Sequence, residues 1–416
     1  MTTSRREMLL ACGSLAALAA GGGRVAWSQQ AEFDLVIKGG EVIDPSQSLR
    51  AMRDVGIRHG VIAALEETIA DDRADRVLDA SGQIVTPGLV DMHAHVYPYG
   101  SAIGIPADEL APLTCTTTAV SAGDAGANNF AALKRLIAAP ARTRIYGFVH
   151  IANFGLAGFP VGEMFNIDHA DTEACAETVA SNPDFCLGVK VRESLNVVGE
   201  NGLEPLRRAI QAAEMAGTGA PVMCHIGGAP GDLSELLGML RPGDILTHCF
   251  SGAGNNIVQD GTLLPAALEA QGRGVRFDVG HGGGSFDFTV AEPAMDQGLI
   301  PDHISSDIHV FSGNSPGKPY LPWVMSKFLQ MGMSLEDVIA RATINPATAI
   351  DREPKLGTLQ LGAPGDVAVM ALVEGPVILE DTMTNQREGT VYLQPVSTIR
   401  GGVPFGRPYN APFSRS

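Results

Sequence analysis

Short apolar runs recur through the middle of the chain and alternate with stretches rich in Ala, Leu and Glu. Runs of this length, rich in β-branched and aromatic residues, are typical of buried strands, and the stretches between them are typical of helices and loops. Eight runs follow this pattern, at residues 84–96, 115–123, 144–152, 185–192, 221–227, 244–250, 275–281 and 303–310. Eight strand–helix units in succession predict an α/β fold, a (β/α)8 TIM barrel, over residues 84–349.

The two ends of the chain show a different pattern, in which short strands are separated by turns. This pattern fills residues 33–83 and returns between residues 357 and 400. The simplest assembly pairs both ends, so we predict a small flanking β-sandwich domain of residues 29–83 and 350–400. Residues 401–416 are rich in Gly and Pro and predict an irregular C-terminal arm.

Composition limits the classes of partner. The chain has 416 residues, of which 45% are hydrophobic and 18% charged, so it can bury a substantial core. Its formal net charge of −17 argues against nucleic acid or an anionic membrane surface as a partner. The expected partner is a small molecule, and homo-oligomerisation stays open.

The first 28 residues predict an export signal. Arg5 and Arg6 precede an Ala-, Gly- and Leu-rich run that ends at about Gly23, and Ala26 and Ser28 provide small residues for cleavage. Adjacent arginines resemble a twin-arginine signal, so the predicted location is periplasmic or secreted; an ordinary signal peptide and a membrane anchor are the alternatives. The apolar run is too short and too rich in Ala and Gly for a stable membrane span.

Titratable side chains recur where the predicted barrel strands end. His93 and His95 are separated by one residue, and side chains alternate along a strand, so both imidazoles point the same way and can bind one metal ion. Four further residues end apolar runs, namely Lys190, His225, His248 and Asp307. A charged residue is costly to bury unless it is paired or bound to metal. The pattern predicts a metal site, although a pair of core histidines is the alternative for His93 and His95 alone.

The order His-x-His, Lys, His, His and Asp on successive strands resembles the amidohydrolase superfamily of binuclear metal hydrolases. The motifs GVKVRES, HIGGAPGDL, ILTHCFSG, FDVGHGGGSF and ISSDIH are similar to those of its amidohydrolase/deacetylase branch, which includes acetyl-mandelate hydrolases. The resemblance covers residues 34–401 approximately. It implies a barrel beside a β-sandwich, and two divalent metal ions, usually zinc.

The resemblance also implies which residues bind each ion. His93, His95 and Asp307 would bind the more buried ion, and His225 and His248 the other. Lys190 would bridge both ions as an N-carboxylated lysine, formed with CO2. This agrees with its chemistry, because a free lysine with a pKa of about 10.4 would repel two dications. A salt-bridged lysine beside one ion is the alternative.

The implied reaction is hydrolysis by a metal-bridging hydroxide, since zinc alone brings the pKa of bound water to about 7. Asp307 is the implied catalytic residue, because it would accept the proton of the water and later pass it to the leaving amine or alkoxide. No serine or cysteine nucleophile is required.

Three residues are candidates for substrate binding. Arg192 is two residues beyond Lys190, so it shares the face of Lys190 and could clamp a carboxylate, with a structural ion pair as the alternative. His281 lies in a Gly-rich loop at the end of the seventh run and could bind substrate or an oxyanion. Tyr97 follows the His-x-His pair, where dihydroorotases typically have an arginine that holds the substrate carboxylate.

These observations predict a zinc-dependent hydrolase of an N-acyl amino acid or an O-acyl α-hydroxy acid whose carboxylate lies near Arg192. The first alternative is a cyclic-amide hydrolase of the dihydroorotase or hydantoinase kind, and Tyr97 disfavours the pyrimidine ring-opening role of a dihydroorotase. The second alternative is a non-catalytic periplasmic binding protein on the same barrel.

Overall fold

The computed structural model describes residues 31–352 and 354–406. The predicted export signal lies outside these residues, so export stays a prediction. The strands are β1 Leu35–Asp44, β2 Leu49–Arg58, β3 Val61–Glu66, β4 Val77–Asp79, β5 Ile84–Pro87, β6 Leu89–Ala94, β7 Thr116–Gly126, β8 Arg144–His150, β9 Cys186–Glu193, β10 Val222–Ile226, β11 Ile245–Thr247, β12 Val258–Gln259, β13 Thr262–Leu263, β14 Arg276–Asp278, β15 Val367–Glu380, β16 Gln386–Arg400 and β17 Val403–Pro404.

Helices lie between the successive strands β6 to β11 and on both sides of β14. They are α1 Ala107–Thr114, α2 Phe130–Ala132, α3 Thr172–Ser181, α4 Leu195–Val198, α5 Glu204–Met215, α6 Leu233–Met239, α7 Pro265–Gly272, α8 Phe288–Asp296, α9 Leu321–Gln330, α10 Leu335–Arg341 and α11 Ile344–Ile350. Among the helices of the described residues, none has both the length and the hydropathy that crossing a bilayer requires.

Seven parallel strands form the barrel sheet, in the order β14-β11-β10-β9-β8-β7-β6. The segment that contains the eighth predicted run closes it, because His303 bridges to Asp278 of β14 and Ile308 bridges to Ala94 of β6. This segment is not a regular strand, since Asp307 has a φ of +46°. The predicted α/β barrel is therefore confirmed, with its last strand reduced to two bridges.

The first predicted run is divided between two sheets. Its beginning, β5, pairs with β1 and β15, whereas β6 starts the barrel. Gly88 separates them and allows a close approach, because a Cβ there would lie 2.3 Å from Oγ1 of Thr117.

The flanking sheet has eight strands from both ends of the chain, and this confirms the predicted two-ended β-domain. Its order is β17-β16-β15-β5-β1-β2-β3, with β4 also paired to β1. β1 runs parallel to β4 and β5, and the other neighbours are antiparallel. The predicted irregular arm of residues 401–416 contains the short strand β17, and its residues 407–416 lie outside the described part of the chain.

Apolar residues fill the barrel on both sides of its strands. Inside, Phe148 and Met223 pack in one buried cluster with Ile350, the last residue of α11. Outside, α5 buries Leu206, Ala209 and Ala213, a spacing that places them on one helix face.

Asp44 joins the two ends of the chain in the flanking domain. Its buried carboxylate accepts hydrogen bonds from the backbone N–H of Ser46 and from the side chain of Gln47, both just after β1. It also accepts from the backbone N–H of Leu359, at 2.7 Å, and from the hydroxyl of Thr358. One carboxylate therefore connects residues more than 300 positions apart.

We expect Asp44→Ala to lower the free energy of unfolding by about 2–4 kcal/mol, because each buried donor left without an acceptor costs about 1–3 kcal/mol. Urea unfolding followed by circular dichroism measures the change. The exposed residue Asp72 provides the control, and Asp72→Ala should change stability by no more than about 0.5 kcal/mol. Equal stability of the two variants would contradict the role given to Asp44.

Candidate metal centre

The carboxyl ends of the barrel strands bring six predicted side chains into one cluster. They come from the end of β6, from β9 and β10, from the residue after β11 and from the irregular segment that closes the barrel, and they are His93, His95, Lys190, His225, His248 and Asp307. Parallel strands end at the same face of a barrel, so residues far apart in sequence meet there.

Contacts within the cluster are short. Oδ1 of Asp307 lies 3.4 Å from Nε2 of His93 and 3.0 Å from Nε2 of His95. Nζ of Lys190 lies 3.3 Å from Nε2 of His93. The ring centroid of His248 is 4.9 Å from that of His93 and 4.2 Å from that of His225.

Hydrogen bonds outside the cluster determine the tautomer of His93. The hydroxyl of Thr247 donates to Oδ2 of Asp278 at 2.6 Å, so its oxygen is free to accept from Nδ1–H of His93 at 2.7 Å. The proton of the neutral imidazole is therefore on Nδ1, and the Nε2 lone pair points into the cluster.

The same rule holds for two more imidazoles. Nδ1–H of His95 donates to Oδ1 of Asp124 at 2.8 Å, and Nδ1–H of His248 donates to the carbonyl oxygen of Gly280 at 2.6 Å. Asp124 is itself held by the hydroxyl of Ser121 at 2.6 Å. Each ring thus presents Nε2 inward, as metal-binding histidines do when the other nitrogen is hydrogen-bonded.

Unusual backbone conformations place two of the six residues. His248 has a φ of +65° and Asp307 a φ of +46°, both in the left-handed region that residues other than glycine rarely adopt. Such strain is found where surrounding structure imposes it, often at functional sites. Two glycines give room, because a Cβ on Gly123 would lie 2.4 Å from Cγ of Lys190 and one on Gly282 would lie 2.3 Å from Oδ2 of Asp307.

Burial keeps three of the imidazoles neutral. Burial lowers the pKa of His248 to about 3, and burial with its neighbour His248 holds the pKa of His225 well below its usual value. Burial and the nearby Lys190 do the same to the pKa of His93. A neutral imidazole is the form that binds a metal.

The remaining three groups show opposing influences. Burial alone would lower the pKa of His95, but the carboxylates of Asp124 and Asp307 outweigh it and raise the pKa to about 9. Burial lowers the pKa of Lys190 to about 8, against the attraction of Asp307. Burial opposes ionisation of Asp307, yet the surrounding imidazoles, His93 first, hold its pKa well below the usual value.

The donor set fits a divalent cation. One ligand atom each from His93, His248 and Asp307 lies within 4.8 Å of the others, and all three residues are buried. Imidazole nitrogen and carboxylate oxygen together are typical ligands of zinc and similar ions.

A cavity of about 450 Å³ opens above the cluster. His225, His248 and Asp307 are at its wall, together with Arg192 and His309. Ile103, Leu156, Phe159 and Phe311 add apolar surface, and residues 283–285 form a Gly-Gly-Ser rim. A small-molecule site of this kind commonly combines apolar walls with a few polar groups.

Arg192 lines this cavity and is also part of an ion pair. Its Nη1 lies 3.1 Å from both carboxylate oxygens of Glu163, a buried residue of the loop after β8. Nε2 of His150 lies 3.2 Å from the same carboxylate. The structural ion pair, which was the alternative for Arg192, is therefore present, and the side chain remains 15% exposed. Binding of a substrate carboxylate stays a prediction.

Two predicted substrate residues lie elsewhere. His281 is buried, and its nitrogens contact Nζ of Lys327 at 2.6 Å and the carbonyl oxygen of Gly282 at 2.9 Å. The buried Tyr97 donates its hydroxyl to the carbonyl oxygen of Asn129 at 3.3 Å. Among the described residues, neither is at the wall of the cavity. Their substrate roles stay predictions that this placement does not favour.

Residues 313–317 match G-x-S-x-G, a pattern of serine nucleophiles. Here Ser315 follows a short 3-10 turn, Ser312–Asn314, and its hydroxyl donates to the carbonyl oxygen of Ser312 at 2.8 Å. A nucleophile elbow instead requires a strand, a sharp turn and a helix. The match therefore provides no serine mechanism.

Several residues of the site were not assigned from the sequence. Thr247 and Asp124 contact ligand imidazoles, Asp278 accepts a hydrogen bond from Thr247, and Glu163 pairs with Arg192. Asp278 and Asp124 had a detectable signal, since each is a carboxylate within or beside an apolar run. Glu163 had none, because its loop has no periodicity.

Comparison with known proteins decides the family. The Amidohydrolase family profile matches residues 84–403. The chain belongs to the amidohydrolase family. This amidohydrolase is 36% identical over 325 residues to a deacetylase of Agrobacterium fabrum, an alignment that covers 78% of this chain and 79% of that protein.

Solved structures agree with this assignment. A structure described as an adenine deaminase has 30% identity and a TM-score of 0.82, covering 89% of this amidohydrolase and 99% of that chain. A structure described as a dihydroorotase has 32% identity and a TM-score of 0.81, covering 89% and 98%.

We expect Thr247→Val to weaken zinc binding by about 10–100-fold, because it removes the hydroxyl that orients His93. Competition with a fluorescent zinc chelator measures the affinity. Thr116→Val is the matched control, since Oγ1 of Thr116 is buried without a hydrogen-bond partner among the described residues. Unchanged affinity in the Thr247 variant would contradict this role.

Proposed function

We propose that this amidohydrolase is a metal-dependent deacylase that cleaves the amide bond of an N-acyl amino acid or the ester bond of an O-acyl α-hydroxy acid. The observation that carries the proposal is the convergence of Nε2 atoms with the Asp307 carboxylate below one cavity. The deacetylase relative supports hydrolysis of an acyl group.

Two divalent ions, with zinc as the first choice, are part of the proposal. His93, His95 and Asp307 would hold one ion, His225 and His248 the other, and Lys190 both. When bound, the ions supply Lewis acidity, which lowers the pKa of water and polarises a carbonyl group.

Lys190 is proposed to act as a carbamate. The neutral amine is the form that can attack CO2, with formation of an N–C bond and loss of a proton, and burial lowers the pKa of Lys190 to about 8. The product is an anion with two oxygens. Such an anion suits a position beside imidazole lone pairs and cations better than an ammonium does.

Asp307 is proposed to move the proton. It is a carboxylate at the wall of the cavity, with Oδ1 3.0 Å from Nε2 of His95. It would take the proton from the attacking water and give it to the leaving nitrogen or oxygen.

Arg192 is proposed to bind the carboxylate of the substrate. Glu163 holds only Nη1, so the other nitrogens of the guanidinium remain for a bidentate contact. Tyr97 is buried, and its hydroxyl donates a hydrogen bond to the carbonyl oxygen of Asn129. Dihydroorotases typically have an arginine at this position, so this chain has no cation there. This favours an acyl substrate anchored at Arg192 over a pyrimidine ring.

We expect the purified protein to contain two divalent ions per chain and to hydrolyse N-acetyl amino acids or acetyl-mandelate faster than hydantoins or dihydroorotate. Dipicolinate should abolish turnover and zinc should restore it, because the attacking water depends on the ions. Elemental analysis and a substrate panel measure both. Full activity of metal-free protein would reject the proposal. Faster hydrolysis of hydantoins or dihydroorotate would instead assign the enzyme to the cyclic-amide hydrolases.

We expect Arg192→Met to raise KM for anionic substrates by about 10–100-fold when it is made in a Glu163→Gln background, since hydrogen bonds to charged groups contribute about 1.5–3 kcal/mol. The background prevents a buried glutamate from losing its partner. Glu163→Gln alone is the matched control, and methyl esters of the same substrates test charge. An equal loss for esters and anions would show that Arg192 does not bind the carboxylate.

A further inference from the structure

One imidazole at the wall of the cavity has no place among the proposed metal ligands. His309 lies two residues after Asp307, and its ring centroid is 6.0 Å from that of His95. It lines the cavity together with His225, His248 and Arg192.

Hydrogen bonds of the following turn determine its tautomer. Nδ1 of His309 accepts from the backbone N–H groups of Phe311 and Ser312, both at 3.3 Å. The backbone N–H of His309 donates to the hydroxyl of Ser312 at 2.8 Å. Because Nδ1 accepts, the neutral ring carries its proton on Nε2.

The Nε2–H group of His309 has no hydrogen-bond partner within residues 31–352 and 354–406. Nε2 is the ring nitrogen farther from the backbone, whereas Nδ1 is the nitrogen that the turn holds. A residue needed only for this turn would require an acceptor close to the backbone, which Asn or Ser provides. The turn therefore does not require the Nε2–H donor of His309.

His309 lies in the same cavity as the proposed carboxylate anchor of the substrate, Arg192, and the proposed proton carrier, Asp307. The same cavity has the guanidinium of Arg192 and, at the metal cluster, Asp307. A molecule anchored at Arg192 with its scissile bond beside Asp307 lies against the wall to which His309 contributes.

We propose that Nε2–H of His309 donates a hydrogen bond to the oxygen of the scissile carbonyl group. The inference rests on the proposed deacylase function and adds a catalytic residue to it. The hydrogen bond strengthens as that oxygen gains negative charge, so it stabilises the transition state more than the bound substrate. No covalent bond to His309 is made or broken.

Two substitutions of His309 separate this role from the turn. His309→Asn keeps an acceptor near the position of Nδ1 and removes the distal donor, whereas His309→Gln keeps an amide donor near the position of Nε2. His59, an exposed turn residue, provides His59→Asn as the control for the same exchange. Each variant is studied as the full chain with zinc bound.

We expect His309→Asn to lower kcat by about 10²–10³-fold with KM changed much less, since loss of one oxyanion donor has that effect. His309→Gln should recover at least tenfold of the loss, and His59→Asn should match the unsubstituted protein. Zinc content and thermal midpoint should be equal in all four proteins. Affinity for a phosphonate analogue of the substrate should fall in parallel with kcat/KM.

Other outcomes overturn the inference. They are a kcat of His309→Asn within threefold of the unsubstituted protein, equal losses in the Asn and Gln variants, and loss of zinc from either variant. These results differ from failure of the proposed function, in which the unsubstituted protein itself hydrolyses no acyl substrate and binds no phosphonate.

Discussion

The structure depends on holding the lone pairs of several buried imidazoles toward one point. Such an arrangement is unfavourable by itself, because these lone pairs have lost water in an apolar interior. The donor that Lys190 brings to Nε2 of His93, at 3.3 Å, serves one ring of the cluster. The rings cannot turn away, since Thr247, Asp124 and the carbonyl oxygen of Gly280 each hold an Nδ1. A cation at the centre is the partner that these lone pairs require.

Both the barrel strands and the loops that follow them contribute residues to the site. Strands β9 and β10 carry Lys190 and His225, so a hydrogen-bonded ladder fixes the spacing of these two residues, and the His93–His95 pair lies at the end of β6. Loops add further residues to the wall of the cavity, among them His309 and Gly283. Most of the candidate metal ligands thus lie on or next to strands, and the loops that follow the strands complete the cavity, as is usual in barrels.

The barrel and its cluster were predictable because each depends on local pattern. Strands buried on both faces are apolar throughout, so the titratable residue that ends each strand stands out. The contacts around the cluster were not predictable, because Thr247 contacts His93 only through the order of strands in space. The contacts of loop residues were the hardest to predict. His281 follows a strand end as expected, but the Gly-rich backbone turns its ring toward Lys327. Nothing in the sequence relates Glu163 to Arg192.

The flanking sheet affects when the protein can finish folding. β5 lies between β1 and β15, so the middle of the sheet is incomplete until a strand encoded near the end of the chain arrives. During synthesis, the barrel segments leave the ribosome while that gap is still open, and an unpaired strand edge remains exposed. Completion is therefore a late, long-range event, and a chain cut short before Val367 would retain its metal-ligand residues beside an unfinished sheet.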